Sequence, residues 1–166
     1  MPGMRRWILL VFAGMAVLAG VLAPQASAGL TPIGIVGETL HVEYMGVIAD
    51  ITVHGVAPAD IPPGFGYPPR GPANLVERAD ITVHVIKAPN PFITSIFFNF
   101  RGVNPIGDAY DSRNTDAPDD LRSALQNAPP GATVSGGVWW DAYRDPVTNV
   151  VLLDKVTGTH LAQWNL

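Results

Sequence analysis

Beyond its first 28 residues the chain alternates apolar and polar positions with a period of two, and helical spacing is nearly absent. That period marks strands with one buried face, because successive side chains point opposite ways. Runs rich in Val, Ile, Thr and aromatics predict strands at about Thr39–Tyr44, Val47–Val56, Leu75–Lys87, Phe92–Arg101, Thr133–Tyr143, Val150–Asp154 and Thr159–Trp164. Alternation then assigns faces. Ile51 and Val53 share one apolar row, Ile81, Val83 and Val85 a second, and Phe92, Ile96, Phe98 and Phe100 a third. Val134, Val138, Trp140 and Ala142 make a fourth, leaving Trp139, Asp141 and Tyr143 on the other side of their strand. About seven short strands of this kind predict an all-β fold of two stacked antiparallel sheets. Trp140, Phe98, Ile51 and Ile81 are its expected core.

Two segments interrupt the pattern. Pro58 to Pro72 holds six prolines and three glycines in fifteen residues, too many fixed φ angles and missing amide donors for a central strand. It reads as a stiff loop. The second, Asp108 to Pro130, is polar and acidic, and within it residues 118–126 predict a short helix opened by Pro118 and acids. Leu121 and Leu125, one turn apart, would cap the sandwich. One echo also stands out: Ala-Asp-Ile-Thr-Val-His at Ala49–His54 recurs at Ala79–His84. Nothing around it repeats, so two strands meeting the same demand account for it without a duplicated unit.

The first 28 residues have a different character. Arg5 and Arg6 precede an apolar run from Trp7 to Ala23, and Ala26-Ser27-Ala28 closes the segment. These are the three parts of a cleavable signal peptide, and the run is short for a membrane-spanning helix. Residues 1–28 are thus expected to be removed, leaving 29–166 as one secreted domain with no stable membrane span. The paired arginines leave both the general and the twin-arginine export routes open. Residues 29–166 keep all fourteen acids and eight of the ten basic residues, a formal charge of −6. That balance disfavours nucleic acid and anionic membrane surfaces as partners. The chain has no cysteine, which excludes a disulfide, thiol chemistry and a Cys-ligated zinc.

Candidate chemistry is sparse. His41, His54, His84 and His160 all fall on predicted strands, and neighbouring strands could bring His54 and His84 together as metal ligands. No H-x-H or H-E-x-x-H spacing supports this, and solvated histidines on a polar face are the plainer reading. Asp108, Asp111, Asp116, Asp119 and Asp120 could offer oxygens to calcium, but their spacing matches no EF-hand. No Gly-x-Ser-x-Gly elbow or phosphate-cradling glycine loop is present, so no enzymatic activity, cofactor or metal is expected. Aromatics remain: Phe65 and Tyr67 in the proline loop, with Trp139 and Tyr143 facing outward, form the expected partner-contact surface.

Several short patterns, in this order, carry a family resemblance: Gly37–Leu40, Gly66-Tyr67-Pro68, Phe98–Arg101, Gly131–Thr133, Gly137–Asp141 and the Leu161–Trp164 end. The chain resembles the mycobacterial secreted immunogenic antigens of the Mpt sixty-three type. It departs from them in the acidic segment Asp108–Gln126 and in ending Trp164-Asn165-Leu166. The resemblance implies an immunoglobulin-like β-sandwich and a secreted state. It implies no activity and transfers no functional residues. The expected function is therefore a secreted, non-enzymatic binding module for a host or cell-envelope protein, with a small-ligand or calcium carrier as the alternative.

Overall fold

A computed structural model of the chain describes residues 30–70 and 75–166. The expected leader, residues 1–28, lies outside the described residues. The strands are β1 (Ile33–Ile35), β2 (Thr39–Tyr44), β3 (Val47–Pro58), β4 (Leu75–Lys87), β5 (Phe98–Val103), β6 (Ala109–Tyr110), β7 (Thr133–Ala142), β8 (Asn149–Asp154) and β9 (His160–Asn165). Two short helices, α1 (Pro91–Phe97) and α2 (Leu121–Gln126), complete the set. One sheet runs β1-β9-β8-β5-β6 and the other β2-β3-β4-β7; every pairing is antiparallel except β1 with β9. This is the expected two-layer, immunoglobulin-like sandwich.

The apolar rows predicted from alternation face each other across the layers. In β3, Val47, Ala49, Ile51 and Val53 are buried, and in β4 so are Ala79, Ile81, Val83 and Val85. Phe98 and Phe100 of β5 meet them from the second sheet, and the Trp140 ring sits fully buried between the layers. With no cysteine, three polar side chains tie the layers together. Trp140 Nε1 donates to the Phe100 carbonyl at 3.0 Å. Trp164 Nε1 donates to the Glu38 carbonyl at 3.0 Å. The Tyr44 hydroxyl donates to Asp154 at 3.0 Å. Each of these donors is satisfied, so the cost of taking it out of water is offset by its bond.

The echo has a structural cause. In the β3–β4 ladder Asp50 faces His84, Ile51 faces Val83, Thr52 faces Thr82 and Val53 faces Ile81. The two copies are each other's antiparallel partners, related by a local two-fold through the Thr52–Thr82 pair. A register shift after Val53 breaks the symmetry by placing Gly55 opposite Asp80. A self-complementary hexapeptide sets acid against imidazole and β-branched against β-branched side chains, favourable cross-strand pairs.

One strand expectation needs correction. Phe92–Arg101 is not one strand: its first part is helix α1, and β5 begins at Phe98. The Asn90 side chain caps the helix by accepting from the Phe92 amide at 2.9 Å, and a proline follows it, a start signal that outweighs local β propensity. Phe92 is consequently exposed, and only Phe98 and Phe100 of the predicted row are core. The expected helix at 118–126 is present as α2. Asp120 accepts from the Ser123 amide at 2.9 Å, and Leu121 and Leu125 are buried against the core. Helices α1 and α2 pack on one another at one end of the sandwich.

Candidate functional site

The outer face of the β2-β3-β4-β7 sheet is divided into two halves. One half is polar and open: a row of Thr39, Thr52, Thr82 and Ser135 crosses all four strands. Within it Thr39 and Thr52 lie 2.7 Å apart, Thr82 and Ser135 2.8 Å, and His54 Nε2 reaches Thr82 at 2.8 Å. Beside it, Asp50 receives His41 Nδ1 at 2.7 Å and has His84 at 4.0 Å. Asp50 and Glu43 hold the His41 imidazole above its ordinary value through hydrogen bonds. The antiparallel register sends His54 and His84 to opposite ends of the echo, so they do not pair as the sequence allowed.

The other half is covered. Here the outward residues change to Val76 on β4 and Trp139 on β7, and the proline loop lies over them. Phe65, Val76, Ala117 and Trp139 form a second buried cluster, with Arg78 5.0 Å above the indole. The loop is pinned at several points. The Ala59 amide donates to the Val76 carbonyl at 2.9 Å, and the Asp116 amide to the Pro63 carbonyl at 2.8 Å. Arg70 grips the buried Asp141 carboxylate with its backbone amide at 3.0 Å and Nε at 2.9 Å. Arg113 Nη2 donates to the Phe65 carbonyl at 2.9 Å.

The four expected contact residues therefore separate. Phe65 and Trp139 are both only 4% exposed, because outward from a strand is not outward to solvent where a loop lies on the sheet. The expectation that both present their rings to a partner is corrected accordingly. Tyr67 is 75% exposed, with the Arg113 guanidinium between its ring (5.6 Å) and that of Phe65 (4.8 Å). Tyr143 is half-buried, edge-on to Tyr110 at 5.3 Å and covered by Arg70 at 4.1 Å. A groove of about 330 Å³ runs between Arg70, Tyr143 and Arg113. What remains at the surface is the Tyr67 ring, on a loop braced by Phe65 and Arg113, with the half-buried Tyr143 beside Arg70.

The acids of the 108–120 segment are distributed among separate partners. Asp108 pairs with Arg144 at 2.8 Å, Asp111 with Arg101 at 2.6 Å and Asp119 with Arg78 at 2.6 Å, while Asp120 caps α2. Among the described residues no group of three His, Cys, Asp or Glu side chains converges as metal ligands would. Sequence reasoning missed a second concavity: a cleft of about 520 Å³ between β5, the 111–115 segment and α2.

No protein-family model matches the chain, and no curated protein matches it. Among solved structures, it is similar to the 1.5 Å crystal structure of MPT63, a secreted protein from Mycobacterium tuberculosis. The two align with a TM-score of 0.67 and 20% identity, over 84% of this chain and 100% of that one. At that identity the likeness is one of fold, and at that level it bears out the resemblance read from the sequence.

Proposed function

We propose that this chain is an exported, non-enzymatic binding module that recognises a host or cell-envelope protein through the surface around Tyr67. The observation that carries the reading is the exposed Tyr67 ring on a loop whose base is fixed by buried Phe65 and the Arg70–Asp141 pair. An aromatic held in place before binding loses little freedom on contact, which is how such residues become anchors. Loops on rigid sandwiches are also the usual seat of recognition. Export is supported by the leader pattern of residues 1–28 and by the secreted character of the structural relative. Mature protein from culture filtrate should begin at Gly29 by N-terminal mass spectrometry. A filtrate form retaining Met1, or recovery only from membranes, would refute it.

The partner reading is tested by placing a photo-crosslinking amino acid at position 67 and illuminating the protein with envelope and host extracts. A discrete product that disappears with Arg70→Ala, which loosens the loop, supports it. Absence of any product at position 67 overturns it.

A further inference from the structure

We propose that the cleft between β5, the 111–115 segment and α2 binds a small hydroxylated organic anion, a phosphorylated or carboxylated sugar. Residues 30–166 carry eight basic and fourteen acidic side chains. Four of the eight cations, Arg101, Arg113, Arg122 and Lys155, line this one cleft, with Asp111 and Asp120 beside them. An acidic protein has thus concentrated half its positive charge in a single concavity.

The pairing pattern sharpens the point. Arg70, Arg78, Arg101 and Arg144 each have a carboxylate within ion-pair distance. Among the described residues Lys87, Arg113, Arg122 and Lys155 have none, and the last three all line the cleft. Both carboxylates of the cleft are already engaged: Asp111 by Arg101, and Asp120 by the Ser123 amide and hydroxyl at 2.9 and 2.8 Å. They leave the three unpaired cations without a counter-charge.

Two of these cations are also positioned. Arg113 is held by the Phe65 carbonyl and two aromatic rings, and Arg122 Nη1 donates to Asn114 Oδ1 at 2.8 Å. A guanidinium fixed in this way keeps its remaining donors aimed, the arrangement suited to carboxylate or phosphate oxygens. Asn99, Ser112, Asn114 and Gln126 add neutral groups that both donate and accept. An inorganic anion is chiefly an acceptor and makes little use of acceptors on the protein, whereas every sugar hydroxyl both donates and accepts. The apolar floor, Phe98 and Leu121, is itself almost fully buried and opens no slot for an acyl chain. The volume of about 520 Å³ lies in the range of small-molecule sites.

The test is calorimetric titration of protein purified from its own host with four probes: glucose 6-phosphate, glucuronate, glucose and inorganic phosphate. At least one of the two sugar anions is expected to bind more tightly than both glucose and phosphate, and which one does so names the anionic group. Raised salt should weaken that binding, since the cations are solvent-facing. The Arg122→Ala/Lys155→Ala double variant should bind roughly tenfold more weakly or worse, while Lys87→Ala should bind as the native protein does. All three positions are exposed, so folding is not at stake. Overturning results are no heat with either sugar anion, an unaffected double variant, or phosphate binding as tightly as the sugar phosphate. The Arg122→Ala/Lys155→Ala variant leaves the proline loop intact and should keep the crosslink at position 67, so loss of the partner reading and loss of this site register in different experiments.

Discussion

Trp139 and Trp140 are adjacent in sequence and nearly equal in burial, at 4% and 0% exposed, yet they belong to different parts of the molecule. Trp140 lies between the sheets in a buried cluster that draws on eight strands, β2 to β9, and on helix α2. Trp139 lies on the far side of the same strand, in a cluster of four buried residues closed by the proline loop. The lesson is that burial has two sources here. One is the pairing of sheets, which every strand supports. The other is a single loop laid over a sheet, which stands or falls by itself.

The widest separation between the two should come from truncating each indole. Trp140→Ala removes the ring and the bond to the Phe100 carbonyl, and should cost about 3–5 kcal/mol in urea unfolding. Trp139→Ala should cost less, about 1–3 kcal/mol, because the loop can lift without separating the sheets. Hydrogen exchange distinguishes them: loss at Trp139 should deprotect residues 59–70 while β3 and β4 stay protected. Phe65→Ala should give the same local pattern. Equal global destabilisation by both indole variants would erase the distinction.

Smaller effects come from two buried carboxyls. Glu77, facing inward on β4, accepts from the Val147 amide at 2.7 Å, yet burial pushes its carboxyl above the ordinary value of 4.5. Its contribution to stability is full below 4.5 and is lost as pH rises through the higher folded value. Glu77→Gln should therefore gain on the native protein as pH rises toward neutrality. Asp154 behaves oppositely. Burial pulls it upward, but bonds from Thr157, the Val156 and Thr157 amides and Tyr44 overcome this and leave it below 3.8. That contribution is present above 3.8 and is lost as pH falls through the lower folded value, so Asp154→Asn should lose ground most at neutral pH and least in acid. Urea midpoints at three pH values between 3 and 7, chosen to bracket these ranges, read both slopes. Parallel slopes for the two variants would contradict this assignment.

The smallest effect belongs to the open half of the outer face. His84→Ala removes a solvent-facing imidazole 4.0 Å from Asp50 and should change stability by no more than about 0.5 kcal/mol. A larger loss would mean that the polar half is bound to the fold as tightly as the covered half.

Strands with regular alternation were fully legible: β2 and β4 have the predicted limits, and Trp140 lies on the predicted side. Helix α2 was legible from its acids and from Leu121 and Leu125. Strands β1 and β6 were not, since three and two residues carry no period and exist only because β9 and β5 pair with them. The stiffness of the proline loop could be read from its composition, but not which ring it would bury, because that depends on Trp139 and Val76 arriving from other strands. The cationic cleft was invisible for the same reason. Arg101, Arg113, Arg122 and Lys155 come from β5, a loop, α2 and the β8–β9 turn, and only the closed sandwich assembles them.

The parallel pairing of β1 with β9 bears on time as well as shape. The hydroxyl of Thr31, just before β1, donates to the carbonyl of His160, 129 residues later, and Trp164 of β9 fills the core. The five-stranded sheet cannot be continuous until its last strand has been made, because β9 stands between β1 and β8. Contacts of such long range form late, after most loop-closure entropy has been lost. During synthesis the four-stranded sheet can thus form while the five-stranded one stays interrupted. A sheet that waits on β9 leaves β1 and one edge of β8 without hydrogen-bonding partners until that strand is in place.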